Sequence, residues 1–193
     1  MTGYFSSLRK TVTVIGALGA LLLLDGGVVV PQKSNLAADR LDQLWLTSQQ
    51  PNHKPQQSTL TDTTVVDLQR GQCYGRCPAY EVKINGSGRV EFHGVAFVCE
   101  KNPPQTKIDP LLVQQLIDGL NNISFFNIPN YTSYDVTDNP FASITLNMDG
   151  PSHKVEHYFG DRKAPRLLNM IEERIDEIAG TSKWIYGCNE VKR

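Results

Sequence analysis

The stretch Tyr80-Glu81-Val82-Lys83-Ile84-Asn85-Gly86-Ser87-Gly88-Arg89-Val90-Glu91-Phe92-His93 decides the fold. On either side of Gly86-Ser87-Gly88, apolar residues alternate with charged ones: Tyr80, Val82 and Ile84 before it, Val90 and Phe92 after it. Successive side chains of an extended chain point to opposite faces, so this period of two predicts a hairpin with one apolar and one wet face. With Ile84 opposite Val90, Lys83 falls across from Glu91 and Glu81 across from His93. Such complementary pairs contribute roughly a few tenths of a kcal/mol each. The charges on that face therefore call for no active site.

Outward from the hairpin, Thr64, Val66 and Leu68 alternate with Val65, Asp67 and Gln69 as a preceding strand. After it, Asp109 stands as N-cap and Pro110 at the first helical position of a helix whose stripe is Leu112, Val113, Leu116, Ile117 and Leu120. Phe125 to Pro140 is irregular, with Phe125, Phe126, Tyr131 and Tyr134 closing over the core edge. The pattern then recurs: Ser143 to Met148 and Lys154 to Phe159 flank Asp149-Gly150, and Pro165 opens a second helix striped by Leu167, Leu168, Ile171, Ile175 and Ile178, stopped at Gly180. The expected fold is α+β: an antiparallel sheet of about five strands with two helices packed on one face, the hairpin and helix unit occurring twice.

The rest of the chain frames this domain, expected over 62–193. Residues 1–30 read as a signal peptide or an uncleaved signal anchor, because Arg9 and Lys10 precede the uncharged apolar run Thr11 to Leu24. Residues 31–61 read as a juxtamembrane helix, with Ala37, Leu41, Leu44 and Trp45 at helical spacing, followed by a flexible linker rich in Gln, Ser, Thr and Pro. An exported chain with four cysteines is expected to oxidise them. Cys73 and Cys77 are close enough to close a small loop through Gly75; Cys99 and Cys188 then form a second bridge worth about 3–5 kcal/mol. Cross-pairing of Cys77 with Cys99 is the alternative.

Nineteen Lys and Arg stand against twenty Asp and Glu, a formal charge of -1, with no basic run for nucleic acid, which is excluded as a partner. No cofactor or metal is expected. Cys73 and Cys77 have three intervening residues and no second ligand pair downstream. As a redox pair they lack the helix N-terminus that lowers a thiol pKa, since Pro78 and a strand follow. Of the four histidines, His53 lies in the linker and His153 in a turn. His93 and His157 sit on strands, where either is a conceivable general base for a small hydrolase, but no Ser nucleophile elbow accompanies them; Ser143 and Ser152 have no recognisable context. Asp135, Asp138 and Asn139 read as turn chemistry, and Asp161 as the entry to the second helix. Asn85, Asn122 and Asn130 begin Asn-x-Ser/Thr triplets that matter only in a glycosylating host.

The sequence resembles the bacterial domain of unknown function 6438, through Cys73-Tyr74-Gly75-x-Cys77-Pro78-x-Tyr80, Asn85-Gly86-x-Gly88-x-Val90 with Gly94, Tyr134 to Asp138, and Gly180 to Trp184. The resemblance spans roughly Thr63 to Ile185 and implies an exported or lipid-anchored protein without an established activity. Cys99 and Cys188 are outside that pattern, in keeping with a private second bridge. The functional expectation is a non-catalytic envelope domain, periplasmic or at the cell surface, held at the membrane by its N-terminal segment if that is uncleaved. Its expected partner is another envelope protein or a surface polymer. The rival is a thiol-disulfide redox protein using Cys73 and Cys77, or a small hydrolase.

Overall fold

The computed structural model describes residues 36–50, 52 and 60–186. The leader expected at 1–30, most of the expected linker with His53, and Cys188 lie outside them. The elements are helix α1 (Leu36–Ser48), strands β1 (Val65–Arg70), β2 (Ala79–Asn85), β3 (Arg89–Ala96) and β4 (Thr106–Lys107), helix α2 (Pro110–Asn122), a 3-10 turn (Phe125–Asn127), strands β5 (Phe141–Asn147) and β6 (Ser152–Tyr158), and helices α3 (Arg166–Ala179) and α4 (Ser182–Tyr186). The strands form one antiparallel sheet in the order β4-β3-β2-β1-β5-β6.

The hairpin register is as expected, with Ile84 opposite Val90, Lys83 opposite Glu91 and Glu81 opposite His93. The charged side chains nevertheless find other partners. Lys83 Nζ bonds Glu81 two residues back at 2.7 Å, Glu91 accepts from Gln105, and His93 Nδ1 pairs with Asn102 Oδ1 at 2.8 Å. The sixth strand, β4, is a two-residue segment beside Arg89 and Val90. It is too short to carry an alternation and so left no pattern to read.

Val66, Leu68, Val82, Ile84, Val90, Ile144, Leu146 and Val155 fill the apolar face of the sheet, and the stripes of α2 and α3 bury against it. Asp109 caps α2 by accepting from the Leu111 amide, and Gly180 ends α3 in a left-handed conformation at φ 67°.

The helix expected beside the membrane exists, but it is part of the domain. Trp45 is 2% exposed within the core, and Gln49 Nε2 donates to the Gln115 carbonyl at 3.0 Å. Leu41 and Trp45, four residues apart, are one apolar stripe that α2 receives. Gly119 makes room for it: a Cβ there would lie 2.9 Å from the Trp45 ring and 2.7 Å from Ser48 Oγ. None of the described helices is long and apolar enough to cross a membrane.

Candidate functional site

Along β1 the inward positions run Val66, Leu68 and then Arg70, so the apolar alternation ends on a guanidinium. The register extends that position into a row across the sheet: Gly94, Tyr80, Arg70, Ala142 and His157 lie side by side on β3, β2, β1, β5 and β6. Over this row lie Glu172 and Asp176, one turn apart on α3. The polar groups interlock. His157 Nδ1 meets Glu172 Oε1 at 2.8 Å, and because a carboxylate only accepts, the proton between them belongs to the ring. Arg70 Nη1 reaches Glu172 Oε2 at 3.1 Å, while its Nε and Nη2 reach Asp176 Oδ2 at 2.9 and 2.8 Å. The other oxygen of Asp176 accepts from the Tyr80 hydroxyl at 2.7 Å and from Thr181 Oγ1 at 2.9 Å.

Every oxygen of both acids therefore has a donor. Burial alone would lower the Arg70 pKa, but Asp176, Tyr80 and Glu172 outweigh it and hold the guanidinium charged above its ordinary range. Burial, reinforced by Asp176, raises the Tyr80 hydroxyl well above the usual phenol and keeps it a donor.

One wall of this network opens into a cavity of about 440 Å³. Arg70, Tyr80 and Asp176 form its polar side, Cys77 and Pro78 bring the disulfide loop to it, and Phe141, Phe159 and Tyr186 are its rings. This is the size and mixture of a small-ligand site: mostly apolar, with a few converging polar groups.

Cys73 and Cys77 are bonded to each other, with Cα atoms 5.7 Å apart. The loop they close is pinned by Gly75 N–H donating to the Cys73 carbonyl at 2.8 Å and Tyr74 N–H donating to Asp138 O at 3.4 Å. It presents Tyr74, 88% exposed, and holds the Arg76 guanidinium over the Phe97 ring. Cys99 is disulfide-bonded as well, and its amide donates to Trp184 O at 2.8 Å. Its expected partner, Cys188, lies outside the described residues.

The remaining sequence candidates are dispersed. His93 is exposed on the open face, and His153 Nε2 bonds the Ile128 carbonyl while its ring packs edge-on against Phe125. Asp135 accepts from Ser133 Oγ and the Arg162 amide, and Asn139 N–H donates to the Tyr158 hydroxyl. Asp161 accepts amides from Ser133 and Lys163, which hold its carboxyl below the usual range. These are turn and loop staples, and Tyr134, folded back on Tyr158 and Phe141, closes the same loop. Among the described residues no group of three His, Cys, Asp or Glu is placed to hold a metal ion.

Of the motif residues, Pro78, Tyr80 and Cys77 converge on the cavity; Tyr74 and Gly75 lie in the loop between the bonded cysteines and do not line it. His157 does come together with a carboxylate, but deep under α3. Sequence reasoning missed Arg70, Glu172, Asp176 and Thr181. The available signal was that Arg70 and His157 are polar residues in phase with an apolar alternation, and that Glu172 abuts the apolar stripe of α3.

Fold and site define a disulfide-braced α+β domain, one antiparallel sheet covered on one face by helices, with a saturated ionic row at the sheet end beside a ring-lined cavity. Residues 64–179 match the family described as "Domain of unknown function (DUF6438)", and the chain belongs to that family. No curated protein matches the sequence.

Proposed function

We propose that this chain is an exported or membrane-anchored envelope domain that binds a ligand at the cavity beside the Cys73–Cys77 loop and does not transform it. The observation that carries the reading is the saturation of the ionic row: Arg70, Asp176 and Tyr80 line the cavity, yet each is consumed by the others. A general base or nucleophile needs a free lone pair within reach of its substrate. His157, hydrogen-bonded to Glu172, is 3% exposed and stacked on Phe159, which argues against the hydrolase reading. The redox reading meets an electrostatic objection. Cys77 shares its cavity with Asp176 and Glu177, and carboxylates raise a thiol pKa where a reactive cysteine needs it lowered.

The basic-then-apolar pattern from Arg9 to Leu24 and the oxidised Cys73–Cys77 pair support placement outside the cytoplasm. Binding by strand addition is disfavoured at both sheet edges. β4 is two residues long, and β6 is covered where Tyr131 N–H donates to Glu156 O and Tyr158 N–H donates to Tyr131 O, both at 2.8 Å or less.

The test is photocrosslinking in the native envelope, with p-benzoylphenylalanine replacing Tyr74 or Tyr186 singly, and Glu91 on the open face as control. Adducts are expected from the first two positions, lost when Phe159→Ala is added, and absent from the third. Equal labelling from all three positions, or turnover of insulin disulfides by the purified protein, overturns the reading.

A further inference from the structure

We propose that the occupant of this cavity is a basic side chain, the ammonium or guanidinium of a partner protein, held between aromatic rings and the acidic end of α3. The inference rests on the cavity being the binding site and adds the charge of what it takes.

Three features point the same way. The first is the placement of acid on the helix. α3 has no basic residue in its last turn, and that turn carries Asp176 and Glu177. The carboxyl end of a helix bears about half a negative charge, so carboxylates there oppose the helix dipole instead of complementing it. The second is the charge count of the wall. Arg70, Asp176 and Glu177 are its charged side chains, one cation against two carboxylates, and the Arg70 charge is already shared between Asp176 and Glu172 behind it. Lys183, the nearest base beyond α3, lies with Nζ 4.1 Å from the centre of the Trp184 ring and does not line the cavity.

The third is the rings. Phe141, Phe159 and Tyr186 line the cavity, each keeps a third or more of its surface exposed, and aromatic faces attract cations. An anionic ligand would meet repulsion here, and a neutral one would leave the negative potential unanswered. Glu177 is bonded to Arg174 at 2.7 Å, but that carboxylate is 70% exposed, and a surface pair of this kind exchanges readily for another cation.

The experiment is saturation-transfer NMR on the full chain in neutral-detergent micelles. The probes are the blocked pentapeptides Gly-Gly-Lys-Gly-Gly and its norleucine and glutamate counterparts. The lysine peptide is expected to bind about fivefold or more tightly than either counterpart, and to weaken severalfold from 50 to 500 mM salt. Glu177→Gln and Tyr186→Ala, both at exposed positions, are each expected to weaken it about threefold without changing the thermal midpoint.

If the norleucine peptide binds as well as lysine and Tyr186→Ala still removes binding, the cation inference falls and the cavity remains the site. If no peptide binds, the cation inference falls, and the cavity reading is decided by the photocrosslinking alone. Lysine binding that is indifferent to both substitutions occurs elsewhere and overturns the inference.

Discussion

β1 carries two polar clusters on its opposite faces, and they have been solved differently. Arg70 points under α3 into a row in which each carboxylate oxygen has a donor. Asp67, three residues earlier, points to the open face between Lys83 and Thr145, is itself buried, and has one carboxyl oxygen without a hydrogen-bond partner. Lys83 Nζ stays 3.9 Å from its other oxygen because it is engaged with Glu81 at 2.7 Å. The difference shows what tolerates charge in this fold. Complete mutual satisfaction allows an ion cluster under a helix, whereas a single buried carboxylate one layer away, on the wetter face, is left in conflict with its surroundings.

The largest effect is expected from breaking the satisfied cluster. Arg70→Met removes the cation on which Glu172 and Asp176 converge and leaves two carboxylates facing each other under α3. Removal of one partner from a buried ionic group typically costs about 3–5 kcal/mol. Urea denaturation should record a loss of that size, and a loss below 1 kcal/mol would mean that water already solvates the row. A smaller effect is expected at the rim. Cys73→Ser with Cys77→Ser releases a short loop, for which the chain-entropy relation gives about 2 kcal/mol. The same double variant should loosen Tyr74 and Pro78 while leaving the ionic row intact, which hydrogen exchange at Tyr80 and at Tyr74 would distinguish.

The contrast between the two clusters also explains how much was legible beforehand. Both hairpins, their turns, and the stripes and caps of α2 and α3 were readable, because each is a local pattern imposed by a period of two or of 3.6 residues. The disulfide loop was readable from its spacing. The ionic row was not, because its members are separated by up to about a hundred residues along the chain, and only the sheet register makes Arg70, Tyr80 and His157 neighbours. The packing of α1 on α2 was hidden for a related reason: Trp45 on a short helix reads alike wherever its stripe is buried, and the receiving surface at Gly119 is remote in sequence. Phe159 and Tyr186 are far apart in sequence and share no local pattern; the fold brings them to one cavity.

The smallest expected effect sharpens the comparison most, because its sign is unusual. Burial, with the adjoining Glu81 carboxylate adding to it and Lys83 opposing, pushes the Asp67 carboxyl from its ordinary 3.8 up to about 7, while Glu81, stabilised by donors from Lys83 and Asp67, stays below its own usual range. A carboxyl whose folded pKa lies above its unfolded value favours the fold only while protonated. Its contribution is complete below about pH 4 and disappears as the pH rises through 7, the reverse of an acid whose pKa is lowered on folding. Asp67→Asn keeps a donor towards Glu81 at every pH, as the protonated acid does only at low pH. The variant is therefore expected to match the natural protein at about pH 3.5, below the unfolded value, and to exceed it by about 1–2 kcal/mol at pH 8.5. Urea midpoints at the two pH values test this directly. Parallel curves for the two proteins across that window would place the proton on Glu81 instead, making the open face as well satisfied as the row beneath α3.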